Sequence, residues 1–302
     1  MKIFLRLLLY CSLVFLLIYL YSQELLVIPE LRDPVWFFLA LFFVLAGYTI
    51  EAYGWKAVVR TKILQVSFRQ ALISSGKFVF SKYIPGKVWT IAGRAGYIKE
   101  RYNDSFTDLA SLSLYYQLIA ILAGAFVGFG VLVAIDTRWF WFVLLFIIVL
   151  ILLLYFGYKP ALAKTSKLIS YIFKKDIELT YVAPRISAKL LAISMINWLV
   201  WSIAFYLFLI SVHSADSIPV QAGLLFPIST VLGVLAIFAP AGLGIREGFL
   251  ALGLTALGLP AKEAASVAIL SRLWFLIGEA LFFILAIALQ FFDKKMNAQS
   301  QT

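Results

Sequence analysis

The sequence predicts an all-α integral membrane protein with about six spanning helices, two re-entrant hairpins (71–93 and 219–260) and both termini cytoplasmic. Three observations carry this. The chain is 63% hydrophobic and 14% charged, with mean hydropathy +0.98, more apolar surface than a soluble domain can hide. Apolar runs of spanning length fall at about 4–22, 34–54, 108–135, 139–157, 190–212 and 264–291. Lysine and arginine divide unequally between the two sides that these runs define.

The first run starts like a signal peptide, with Lys2 and Arg6 ahead of an apolar stretch. Its exit, YLYSQE, lacks a small-x-small cleavage pattern, so it reads as a retained anchor helix. Cys11 within it is a packing residue, because bulky Tyr10 precedes it where a lipoprotein site needs a small one. With one Cys and one His, disulfide frameworks and His/Cys metal sites are excluded. No cofactor is called for. The formal charge of +11 would suggest nucleic acid in a soluble protein. Here it reads as cations at cytoplasmic membrane edges facing anionic lipid.

The run at 34–54 is the second span. After it comes SSGKFVFSKYIPGKVWTIAGR (74–94), apolar but carrying Lys77, Lys82 and Lys87 around Pro85-Gly86. The third and fourth runs, 108–135 and 139–157, lead into a basic loop at 158–189. The fifth, 190–212, precedes a second irregular region, 219–260, which contains FAPAGLGIREG; its second arm is too short to span alone. The sixth run, 264–291, ends in a short cytoplasmic tail, 293–302.

The positive-inside rule decides whether the irregular regions cross. If each returns to the side it entered from, eighteen Lys/Arg (Arg94 among them) are cytoplasmic and three (Arg32, Arg138, Lys262) external. A crossing at 71–93 would put the seven cations of the 158–189 loop outside. The first region is therefore a cytoplasmic hairpin and the second an external one. The chain reads as one membrane domain, 1–302, whose halves (about 1–137 and 138–292) form an inverted 3+3 repeat, a design that builds a central alternating-access site.

Broken backbone in lipid is costly unless it lines a cavity. Pro85-Gly86 and Pro240-Ala241-Gly242-Leu243-Gly244 supply the breaks. The helix restarting after each break points N–H groups that attract anions. The intramembrane charges are Lys77, Lys82, Lys87, Arg246, Glu247, Arg272 and Glu279, each costing about 2.5–3.5 kcal/mol at the bilayer centre. Their basic surplus suits an anionic headgroup. For Lys77 and Lys82, snorkelling to the cytoplasmic surface competes with a cavity role. Arg246–Glu247 or Arg272–Glu279 pairing would serve structure alone. Trp89, Trp198 and Trp201 read as packing or interfacial aromatics. Tyr115, Tyr116, Gln117 and Asn197 read as interhelical hydrogen-bonding groups.

SKYIPGKVW…GR, then PAGLGIREG, then SRLWFLIGEALFF resembles, in this order and spacing, the lysylphosphatidylglycerol synthase transmembrane-domain family. This is the flippase-like membrane part of the bacterial multiple peptide resistance factor. The resemblance covers about residues 5–291. It implies movement of lipid between leaflets of the bacterial cytoplasmic membrane. It carries the first motif onto Tyr83, Pro85, Gly86, Lys87, Trp89 and Arg94. The second falls on Pro240, Gly242, Gly244, Arg246, Glu247 and Gly248, with Arg272 and Glu279 following. The headgroup set is then Lys87, Arg94, Arg246, Glu247, Arg272 and Glu279. The soluble aminoacyl-transferase domain of the full-length synthases is not in this sequence, so no enzymatic activity of that kind is expected. The cargo stays open between an anionic phospholipid and a polyprenyl-phosphate-linked lipid. A membrane glycosyltransferase using Glu24, Glu30 or Asp33, or an accessory subunit in envelope glycolipid metabolism, are the alternatives. A homo-oligomer and an envelope-biosynthesis partner are both compatible with the sequence. No GxxxxGK[ST] phosphate loop is present, so ATP hydrolysis is not expected.

Overall fold

The computed structural model describes residues 30–84, 88–135, 137–141, 144–145, 180–213, 218–236 and 242–299. These are helical and comprise α1 (Pro34–Val59), α2 (Phe68–Lys77), a 3-10 turn (Val79–Tyr83), α3 (Trp89–Tyr102) and α4 (Phe106–Ile135). After α5 (Pro184–Val212) come a second 3-10 turn (Val220–Leu224), α6 (Leu225–Leu235), α7 (Ile245–Ala256) and α8 (Ala261–Gln299). Among the described residues, α1, α4, α5 and α8 are long and apolar enough to cross a membrane. They answer to the runs at 34–54, 108–135, 190–212 and 264–291. The run at 4–22 and most of 139–157 lie outside the described residues, as do Pro85, Gly86, Lys87 and Pro240.

The helices begin where local chemistry tells them to. Asp33 caps α1, its carboxylate accepting from the Val35 N–H at 2.9 Å, with Pro34 at the first helical position. Asp33, one of the carboxylates offered for glycosyl transfer, is thus a helix cap. The helix outlasts its apolar run, continuing past Lys56 to Val59, because backbone hydrogen bonding does not stop at a charge. Likewise α5 starts at Pro184, ahead of the run at 190, and α8 continues to Gln299, through most of the expected tail. Arg69 at the start of α2 holds that end of α8, reaching Asp293 at 2.9 Å and the Leu289 carbonyl at 3.0 Å.

Each irregular region is a short helix, a break and a second short helix. A capping box starts α2, with Ser67 accepting from the Gln70 N–H and the Gln70 side chain accepting from the Ser67 N–H. Ser67→Ala is expected to cost about 1 kcal/mol, seen as faster hydrogen exchange in the first turn of α2. Where α3 ends, Asn103 adopts the left-handed conformation (φ 50°) that lets the chain turn directly into α4. Lys62 bridges this turn to the end of α1 through Asp104, at 3.2 Å, and Asp108.

The packing follows an exchange of halves. The most extensive interface joins α1 to α5, the first long helix of each half. α2 packs on α8, and α6 packs on α4. α1 also meets α8, and α5 meets α4; α3 lies on α4, and α7 on α8. Indole N–H groups fasten the centre: Trp198 donates to the Ala120 carbonyl at 2.7 Å and Trp201 to that of Val44 at 3.2 Å. Around them Tyr48, Phe226, Trp274, Phe275 and Phe282 form a continuous aromatic core. Outward faces stay apolar, with Val35, Phe38 and Phe42 on α1 and Ile284, Leu285 and Phe291 on α8 exposed. An all-round apolar helix of this length is a membrane span.

Candidate headgroup cavity

A cavity of about 240 Å³ opens where the two irregular regions meet the long helices. Four cations line it, Lys82, Arg94, Arg246 and Arg272, together with the carboxylates Glu51 and Glu279. Arg94, Arg246, Arg272 and Glu279 of the expected headgroup set therefore converge on one space. Glu247 stands behind its wall. Lys87 lies outside the described residues.

Every lining charge has a partner, and most were not the ones expected. Arg272 and Glu279, two turns apart on α8, do not pair with each other. Glu279 is almost fully buried and meets Lys82 Nζ at 2.6 Å. It also accepts from Tyr83 Oη at 3.0 Å and Tyr48 Oη at 3.3 Å. Lys82 lies 5.5–6.0 Å from the rings of Phe275, Tyr83 and Tyr48, within cation–π range. Between the two readings left open for it, snorkelling and the cavity, the structure selects the cavity. Lys77 does not line the cavity; it stacks over Tyr97 at 5.3 Å.

Arg272 donates instead to Glu247 at 2.6 Å. The other oxygen of Glu247 accepts from the Gly244 N–H at 2.8 Å, closing the start of α7. The restarting helix was expected to offer that end to an anion from outside; its own carboxylate occupies it. Gly242 and Gly244 take φ +70° and +81°, which side-chain-bearing residues rarely adopt. Arg246, next to this turn, approaches Glu247 at 3.8 Å and stacks over Phe226 at 5.1 Å.

Arg94 corrects the charge count. It was grouped with cytoplasmic loop charges, but it is 1% exposed on α3, between Trp55 (5.1 Å) and Tyr116 (6.0 Å). Its partner is Glu51 at 3.2 Å. Glu51 was missing from the intramembrane charges, although its place inside the 34–54 run was signal enough. Tyr116 and Asn197, read as interhelical groups, line the cavity as well. Tyr116 donates to the Glu51 carbonyl at 3.1 Å, and only a glycine at 54 leaves room, since a Cβ there would lie 2.1 Å from the hydroxyl. Among the described residues, Arg94 Nε and Nη2, Arg246 Nε and Nη2, Asn197 Oδ1, Thr90 Oγ1 and Thr230 Oγ1 are buried without a hydrogen-bond partner.

A family model described as "Lysylphosphatidylglycerol synthase TM region" matches residues 3–286 of the chain. No curated protein and no solved structure matches it.

Proposed function

We propose, for a chain that belongs to the lysylphosphatidylglycerol synthase transmembrane-region family, that it moves an anionic, phosphate-bearing lipid between the leaflets of the bacterial cytoplasmic membrane. Family membership supports a lipid-related membrane role. The observation that carries the rest is the pair of buried arginines, Arg94 and Arg246, whose guanidinium groups line one cavity with donors unspent. A buried, ionised donor without a partner is destabilising, and a headgroup phosphate would relieve it. The exchange-of-halves packing supports the inverted repeat. In that reading the 71–93 and 219–260 regions are re-entrant, one from each side, and both termini are cytoplasmic. The acyl chains stay in the bilayer while the headgroup crosses through the cavity.

The residues divide the work. Arg246, Arg94 and, next to the first break, Lys87 receive the phosphate. Arg272 and Glu247 hold the restart of α7 in place, and Glu279 with Lys82 and Tyr83 holds the first break against α8. Proteoliposomes with fluorescent phosphatidylglycerol and dithionite quenching test this. Wild-type protein is expected to expose label from the inner leaflet, and Arg246→Gln to lose that activity while staying folded. Unchanged rates in Arg246→Gln and Arg272→Gln would remove the site. Release of polyprenyl phosphate from a polyprenyl-phospho-sugar would favour an enzyme instead.

A further inference from the structure

We infer that the cavity contains two equivalent phosphate stations, one on each half of the chain, and that a single phosphodiester headgroup is handed between them. The stations are centred on Arg94 and Arg246. The handover rests on the transport reading above; the existence of two stations does not.

The two arginines match in placement, burial, ring contact and the atoms left unpartnered. Each sits on the short helix that follows a break, Arg94 on α3 and Arg246 on α7. Each is buried, at 1% and 7% exposure. Each lies 5.1 Å over an aromatic ring, Trp55 in one case and Phe226 in the other. Each turns Nη1 to a carboxylate, Glu51 at 3.2 Å and Glu247 at 3.8 Å. Each leaves the same two atoms, Nε and Nη2, without a partner among the described residues.

That coincidence has chemical content. Nε and Nη2 form one edge of the guanidinium plane, with parallel N–H groups spaced to grip two oxygens of a phosphate. The Nη1 carboxylate and the ring beneath fix the plane and leave this edge for a ligand. Two threonines with unpartnered hydroxyls, Thr90 and Thr230, line the same cavity. Thr90 is one turn before Arg94 on α3, hence on the same face. Thr230 is one turn before Gly233, whose built Cβ would lie 3.3 Å from that of Arg246. The edges are covered in this state, so the covering side chains must part to admit the anion.

Charge sets the occupancy. The cations Lys82, Arg94, Arg246 and Arg272 face the carboxylates Glu51, Glu247 and Glu279. Among the described residues this leaves one positive charge in excess, enough for one phosphodiester. Two grips for one charge make a relay, in which the headgroup leaves one edge as it meets the other.

The test titrates dihexanoyl phosphatidylglycerol into the purified full chain in neutral detergent, by calorimetry. Wild type is expected to bind one equivalent. With two alternative stations the affinities sum, so Arg94→Gln or Arg246→Gln alone should weaken binding only about two- to fivefold. The double variant should lose more than about a hundredfold, the value of a bidentate, charge-assisted grip. Lys at either position should behave like Gln, because an ammonium has no such edge. Abolition of binding by either single variant would mean one station and overturn the inference. So would a double variant that equals the product of the singles, which would mean one shared grip, and so would no binding by wild type. Inorganic phosphate binding as tightly as the lipid would keep the two stations but make free phosphate the ligand. Should either Gln variant fail to fold, the Lys variants give the same comparison. Two-station binding without any lipid flipping in proteoliposomes would sink the transport reading alone.

Discussion

Glu279→Gln is expected to destabilise the folded chain by about 3 kcal/mol and to stop transport. The carboxylate is 1% exposed and collects Lys82, Tyr48 and Tyr83. Gln keeps the shape and can still accept from one tyrosine, but it strands the lysine. Removing one partner of a buried pair costs about 3–5 kcal/mol, whereas removing both is close to neutral. The lower end applies here because the Lys82 side chain keeps 40% of its exposure. The cycle that checks this compares Glu279→Gln, Lys82→Met and the double variant by denaturant unfolding in mixed micelles. The double variant should recover most of the loss. If the single change were as mild as a surface salt bridge, under about 1 kcal/mol, the pair would not be holding the first break to α8.

Gly242→Ala is expected to cost about 3 kcal/mol or more, and Gly244→Ala only about 1–2 kcal/mol. The two glycines share a positive φ, so a side chain at either pays the same conformational penalty. Their surroundings differ. A Cβ on Gly242 would lie 2.5 Å from the Gly233 Cα, backbone that cannot swing aside, while nothing lies within 4 Å of one on Gly244. Relief would require α6 and α7 to separate. Since Gly233 also faces the Arg246 Cβ, that separation would misplace the guanidinium. Gly242→Ala should therefore lose headgroup binding as well as thermal stability. Equal effects at the two glycines would mean that backbone conformation alone, and not the close approach to α6, limits this turn.

How much of this was legible follows from where the information sits. The long helices α1, α4, α5 and α8 could be read from apolar runs because a membrane selects for continuous apolarity, which is local. Their ends could not: α1 continues beyond residue 54, past Lys56 to Val59, because helical hydrogen bonding does not end where apolarity does. Pro85, Gly86 and Pro240 lie outside the described residues; the turn before α7 was legible from Gly242 and Gly244, which free the backbone there. The pairing of the charges was not. Spacing on α8 put Arg272 and Glu279 on one face and suggested that they bond each other, whereas each bonds an element far away in sequence. Lys82 was ambiguous for the same reason, because a lysine near a membrane edge looks the same whether it snorkels or meets a buried carboxylate. Arg94 was found by its motif and misplaced by the charge count, which treats every cation near a loop as solvated.

Arg272 and Glu279 stand seven residues apart on one helix, yet one is tied to the turn before α7 and the other to the turn before α3. Two turns fastened to the same shaft cannot move independently. Any sliding or rolling of α8 that eases one fastening displaces the other, so the two irregular regions are coupled through a rigid rod. If the chain moves lipid as proposed, two independent stoppers would leak whenever both were out together; a common shaft gives their movements a fixed phase.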